Sequence, residues 1–278
     1  MEETAELKAF TDVAQRLRSA TDLVEAALRI ARHACADLDV AAYRQRLADM
    51  GEEARRRVDP ADGPREIVAK INQYLFVEFG LRGNEEDYFD PKNSFINEVL
   101  DRKIGIPITL SVIYMSVAEA IPLPLEGVGF PGHFLIRYAG EGDELLIDPF
   151  HQGVILSVPD CQDLLDHVYE GAVEFRPEFL HPAGRRQILQ RMLNNLKGIY
   201  LRREDYPNAL AIVDRLLCLE PNAPDELRDR GILHYRLRSF GKALTDLERY
   251  LRLAPNAQDR EAVQHNIRLL RHLVAGLN

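Results

Sequence analysis

The chain has 278 residues, 46% hydrophobic and 28% charged, with a formal net charge of -9, the make-up of a globular protein with room for one large domain or two smaller ones. The acidic balance argues against a general nucleic-acid or anionic-membrane binder, because both require a basic face. The run Arg55-Arg56-Arg57 lies beside Glu52 and Glu53 and reads as a solvated helix face. Cys35, Cys161 and Cys218 lack metal-finger spacing, which argues against a disulfide framework or a structural zinc site. The acidic start Met1-Glu2-Glu3-Thr4 and the lack of any apolar run approaching about 18 residues lead us to expect a cytoplasmic protein with no membrane partner.

From about Glu6 to Gly80 apolar residues recur at helical spacing, as in Leu23, Ala26, Ala27, Ile30 and Ala31, and predict a run of helices. Asp39 is expected to cap one of them, and Gly63-Pro64 to open another. Loops are expected from Gly80 to Pro91, then a short helix from Ser94 to Leu100 capped by Ser94. The stretch Pro107 to Ala118 is almost wholly apolar or small but too short to span a bilayer, so it predicts a buried helix opened by proline.

Beyond it, short runs bounded by Gly and Pro predict strands at Leu125 to Phe130, His133 to Ala139, Leu145 to Phe150 and Gly153 to Leu156. The turn Gly140-Glu141-Gly142-Asp143 makes the middle two an antiparallel hairpin. Helix returns at Asp160, read as the cap before Cys161 to Tyr169.

The last third repeats. Tyr206 and Phe240, Ala209 and Ala243, Leu219 and Leu253, and Pro221 and Pro255 each lie 34 positions apart, the tetratricopeptide period. Ala209 and Ala243 let paired helices approach, and the prolines end the second helix of each hairpin. Lys197 stands where Gly is usual, and Leu216 and Tyr250 where a small residue is usual. Two repeats are few to stand alone, so Ala257 to Ala275 is expected to cap the array and the array to pack on the rest of the protein.

A helix N-terminus followed by a histidine on the next strand pair and an aspartate one strand later is the layout of papain-like and transglutaminase-like catalysis. If Gly140 to Asp143 form a four-residue loop, Asp148 stands opposite Leu135, and His133 and Asp148 share a face; a three- or five-residue loop without a bulge separates them. Strand alternation places His151 on the opposite face, so no metal site is expected there, and no cofactor.

The stretch Asn93 to Ser111 (NSFINEVLDRKIGIPITLS), with Gly127-Val128-Gly129-Phe130-Pro131-Gly132-His133-Phe134-Leu135, Ile147-Asp148-Pro149-Phe150, and the later Arg191-Met192-Leu193-Asn194-Asn195-Leu196-Lys197, resembles the bacterial SirB family. The resemblance runs from about residue 65 to the end. It implies a transglutaminase-like domain joined to tetratricopeptide repeats, with His133 and Asp148 at the family's histidine and aspartate positions. Active transglutaminase-like enzymes carry a nucleophile after a Gly-x pair at the buried helix; here Gly105-Ile106 is followed by Pro107, and residues 36 to 160 hold no cysteine.

The expected fold is α+β: a helical N-terminal region around a transglutaminase-like (papain-like) core of helix plus antiparallel sheet at 1–180, then an all-α region of two tetratricopeptide repeats and a capping helix at 184–278. The expected role is non-catalytic protein binding or regulation, with a protein or peptide partner on the repeat face and no nucleic acid. The alternative is a hydrolase or acyltransferase on an amide or ester, with Ser111 or Thr109 as nucleophile, His133 as base and Asp148 as orienter.

Overall fold

A computed structural model describes residues 2–142 and 144–276, with side chains from residue 5 to 275; Met1 of the acidic start and Asp143 of the expected turn lie outside the described residues. Two compact units emerge, one formed by residues 12–192 and the other by residues 1–11 with 193–278.

The first unit opens with α2 (Ala20–Ala31), which follows the short N-terminal α1 (Glu2–Ala14). Ser19 caps α2 by accepting from the Asp22 N–H, and the next free donors, Ala20 N–H and Thr21 N–H, are taken by the Glu119 carboxylate at 2.9 and 3.0 Å. Helix α3 (Val40–Arg56) is capped by Asp39 as expected, and α4 (Pro64–Asn72) begins after Gly63 and runs on as a π-helical turn at Gln73–Glu78.

The expected loop from Gly80 to Pro91 contains a two-residue strand, β1 (Arg82–Gly83), paired in parallel with β2 (Ile104–Gly105), and both strands are too short to leave a periodic signature. A 3-10 turn at Pro91–Ser94 leads into α5 (Ile96–Arg102). Its cap position belongs to Phe95 rather than Ser94, because Ser94 is buried inside the preceding turn.

Helix α6 (Pro107–Ala118) is the centre of this unit: of its residues only Ser116 is not buried, and α2 and α3 pack against it. Burying large apolar side chains on every face contributes about 1.5 to 3 kcal/mol for each, which explains the lack of any polar stripe along the helix.

Strands β3 (Leu125–Val128), β4 (Leu135–Tyr138), β5 (Leu146–Asp148) and β6 (Val154–Leu156) form an antiparallel sheet in sequence order. The pairs Ile136 with Ile147 and Arg137 with Leu146 set the register that the four-residue loop predicts. Helix α7 (Val158–Tyr169) covers one face through Cys161 and Leu165, which pack with Val128, Phe130, Leu135 and Leu146. Its cap is Ser157; Asp160 is the third helical residue and returns the bond to the Ser157 N–H, so the capping box begins three residues earlier than the sequence suggests.

The second unit holds the end of α8 (Arg185–Arg202), then α9 (Tyr206–Leu219), α10 (Pro224–Arg236), α11 (Phe240–Leu253) and α12 (Arg260–Gly276), each helix packed on the next from α9 onward. Ala209 and Ala243 are fully buried, and a Cβ on Gly231 would come within 2.8 Å of Leu247, so the close approach implied by the 34-residue period is realised. Of the three departures in the repeat, Leu216 is buried in the core and the other two are accommodated by local hydrogen bonds. Lys197 donates to Glu226 at 2.8 Å and Asp229 at 2.9 Å on α10, and buried Tyr250 donates its hydroxyl to Asp259.

Candidate functional site

His133 leaves a tight turn in which its N–H donates to the Phe130 carbonyl at 3.1 Å. Gly132 sits there at φ +69°, and a Cβ on it would lie 2.6 Å from a Val168 methyl, so both backbone conformation and space demand glycine. Arg191 on α8 fixes the turn from behind by donating to the carbonyls of Phe130 and His133 while its guanidinium lies over the Phe134 ring.

Asp148 ends β5 and is fully buried. One of its oxygens, Oδ1, accepts from His133 Nε2 at 2.9 Å and from the Phe150 N–H at 3.0 Å, and the other, Oδ2, bonds His151 Nδ1 at 2.6 Å. Burial opposes ionisation of this carboxyl, yet the hydrogen bonds from His133 and His151 hold it well below the usual carboxylate range. The bond to Asp148 raises the His151 pKa, against the opposing pull of burial. The inferred sharing of a face by His133 and Asp148 is therefore realised as a direct hydrogen bond.

His151 departs from its expected position. Strand β5 stops at Asp148, and Pro149–His151 form a 3-10 turn capped by the Asp148 carboxylate, which turns the His151 ring back onto the face of His133. The two imidazoles stack with centroids 5.8 Å apart and planes 19° from parallel, and Phe150 stands edge-on to both. The signal was present in Asp148-Pro149, since proline after a strand residue favours a turn over continued alternation.

The two hydroxyl candidates lie in α6. Thr109 Oγ1 accepts from the Ile106 N–H at 3.1 Å and lies 2.8 Å from the Asn93 carbonyl and 3.0 Å from that of Ile106, which makes it a capping group for the buried helix. Ser111 Oγ is buried without a hydrogen-bond partner among the described residues. Neither hydroxyl bonds the His133 ring, whose hydrogen bond runs from Nε2 to Asp148. Cys161 is fully enclosed, and burial pushes its thiol up to about 11, the opposite of an activated nucleophile. Cys35 is exposed and Cys218 half-buried.

Two open clefts flank His151. One, of about 440 Å³, is lined by Arg82, Glu85, Glu86, Phe150, His151 and Gln152 among others; the second, of about 360 Å³, by Asp148, His151, Asp160, Asp163 and apolar neighbours. A further cleft of about 850 Å³ lies at the end of α6 and β3 and includes none of the four candidate site residues.

A buried helix that meets an antiparallel sheet carrying a His–Asp pair defines a transglutaminase-like domain, and the chain belongs to the transglutaminase-like superfamily, whose family profile matches residues 41–194. A tetratricopeptide repeat profile matches residues 196–268. Among named relatives, the UPF0162 protein of Xylella fastidiosa strain Temecula1 is 38% identical over 256 residues, covering 91% of this chain and 89% of that protein. The UPF0162 protein of Vibrio cholerae is 31% identical over 212 residues, 75% of this chain and 78% of that one. F-box only protein 21 of Homo sapiens is 29% identical over 183 residues, which cover 62% of this chain and 28% of the human protein. No helix among the described residues is long and apolar enough to cross a membrane.

Proposed function

We propose that the protein is a non-catalytic, cytoplasmic protein-binding or regulatory protein of SirB type, in which a degenerate transglutaminase-like domain accompanies a repeat module that receives a protein or peptide. The observation that carries this reading is the bonding of the hydroxyls: Thr109 is committed to capping α6, Ser111 is enclosed, and His133 has no hydrogen bond to either. General-base activation of an alcohol requires that bond, or one water in its place.

The repeat module supports the binding role through an open groove of about 510 Å³ lined by Pro207, Leu210, Asp214, Arg230, Lys242 and Asp246 among others. Arg230 is held there by Asp214 at 2.9 Å and by both oxygens of Asp246 at 2.7 and 2.8 Å, which fixes its guanidinium in place. Apolar and charged groups side by side suit a peptide or an amphipathic partner helix.

The test is quantitative affinity capture with the full chain, followed by direct binding of any purified partner to wild type, Leu210→Glu and His133→Ala. Binding lost in Leu210→Glu and kept in His133→Ala supports the reading. Hydrolysis of an amide or ester that disappears in His133→Ala, or partner binding indifferent to Leu210→Glu, overturns it.

A further inference from the structure

We propose that His133, Asp148 and His151 form a binding site for one divalent first-row transition metal ion, zinc being the natural probe. The inference is independent of the repeat groove and of any partner bound there.

The ligand-bearing atoms of the three residues all lie within 4.8 Å of one another. Two imidazoles and a carboxylate are a donor set that zinc and its neighbours favour, and three protein ligands leave a fourth position for water or a ligand. A tetrahedral zinc with bonds of about 2.0 to 2.2 Å holds its donors about 3.3 Å apart. His133 Nε2 and Asp148 Oδ1 at 2.9 Å, and His151 Nδ1 and Asp148 Oδ2 at 2.6 Å, need to open by about 0.4 and about 0.7 Å, with the carboxylate turning to present one oxygen to the ion between the two rings.

The surroundings fit a cation. Asp148 is fully buried, and its side-chain hydrogen-bond partners are the two imidazoles and the Phe150 N–H, so among the described residues its negative charge pairs with no lysine or arginine. A metal ion would neutralise that charge directly, and Oδ1 keeps the Phe150 N–H as an outer contact that orients the carboxylate. Entry is available because the His151 side chain is 45% exposed, and the cleft it shares with Asp148 also carries Asp160 and Asp163. Each ring must offer a lone pair at the nitrogen now facing Asp148: a neutral ring shifts its proton to its other nitrogen, and a protonated ring releases one proton to solvent.

Sequence reasoning discounts this site because strand alternation sends His151 to the other face. The 3-10 turn at Pro149–His151 removes that objection.

The decisive experiment titrates untagged, chelator-treated full chain with Zn2+ by calorimetry, and with Co2+ by visible spectroscopy, in wild type and in His151→Phe. This variant keeps an aromatic ring against His133 but removes both nitrogens, and its half-exposed position protects folding, which circular dichroism verifies. Wild type should bind about one equivalent of either metal, with visible Co2+ bands of a low-coordinate nitrogen and oxygen site, and His151→Phe should bind about 100-fold more weakly or worse. A parallel Asp148→Asn titration should show the same loss. The proposal fails if wild type shows no saturable site, if His151→Phe binds as tightly as wild type, or if bound Co2+ gives only the spectrum of the hydrated ion.

Discussion

Replacing Thr109 by valine separates a capping role from a chemical one. The substitution is nearly isosteric, so α6 loses no packing volume, but it removes the one atom that accepts from the Ile106 N–H at 3.1 Å and that can donate to the Asn93 carbonyl at 2.8 Å. Thr109 is fully buried, so no water replaces the lost partner. An orphaned buried donor costs about 1 to 3 kcal/mol, and loss of a helix cap interaction typically costs about 1 kcal/mol. Because both costs describe overlapping bonds, the expected total is about 2 to 3 kcal/mol. At about 2 to 4 °C per kcal/mol for a unit of this size, the melting temperature of the transition carrying α6 should fall by roughly 5 to 10 °C. Thr109→Ser, which keeps the oxygen, should recover most of the loss. Calorimetric or urea unfolding of the full chain measures both variants. A Thr109→Val protein within about 0.5 kcal/mol of wild type would refute the capping argument and return the hydroxyl to consideration as a reacting group.

Four further outcomes follow from the described contacts. The raised pKa of His151 stabilises the fold fully below its unfolded value of about 6.5 and is lost as pH rises through the folded value, whereas the depressed Asp148 pKa matters only in acid; in metal-free protein the stability gap between wild type and His151→Phe should therefore shrink as pH rises from below about 6.5 through the higher folded value, and a constant gap contradicts the assignment. Native thiol labelling at neutral pH should modify Cys35 rapidly and Cys161 only on unfolding, since burial drives the latter up to about 11; equal rates, read by mass spectrometry, would show Cys161 to be open. Gly83→Ala would set a Cβ 2.7 Å from the Phe150 ring and 2.8 Å from its carbonyl oxygen, which should cost about 1 to 3 kcal/mol in urea unfolding. Lys197→Met should destabilise the repeat unit by about 1 to 3 kcal/mol by leaving Glu226 and Asp229 facing each other, and a neutral result would mean that both carboxylates relax into solvent.

The features legible in the sequence are those set by local periodicity or by loop length. Pro107 and the unbroken apolar run specify α6, the four-residue turn specifies the register that brings Asp148 to His133, and the 34-residue period specifies the repeat helices. What escaped depends on contacts far apart in the chain or on a single residue ending an element early. Strands β1 and β2 pair only Arg82 with Ile104 and Gly83 with Gly105, and no pattern of such length distinguishes them from turns. Alternation carried past Pro149 puts His151 on the wrong face, and Asp160 carries the same capping preference as Ser157 three residues on. The role of Asn93, whose carbonyl meets Thr109 while its amide donates to the Asp87 carbonyl at 2.7 Å, could not be read from spacing at all.

The Glu119 carboxylate that closes the N-terminus of α2 has a consequence for how the protein is made. Ala20 and Thr21 are synthesised about 100 residues before their acceptor, and α6, which the apolar face of α2 covers, is likewise not yet made. At roughly 5 to 20 residues per second, the nascent chain carries the buried face of α2, Leu23, Val24, Ala27 and Ile30, without the part of the core that α6 supplies for about 5 to 20 s. That interval is long compared with helix formation and collapse. The amphipathic N-terminal helices therefore leave the ribosome as sticky surfaces awaiting a core, a natural point of engagement for cotranslational chaperones and a place where slower or faster translation between residues 31 and 119 would alter the yield of folded protein.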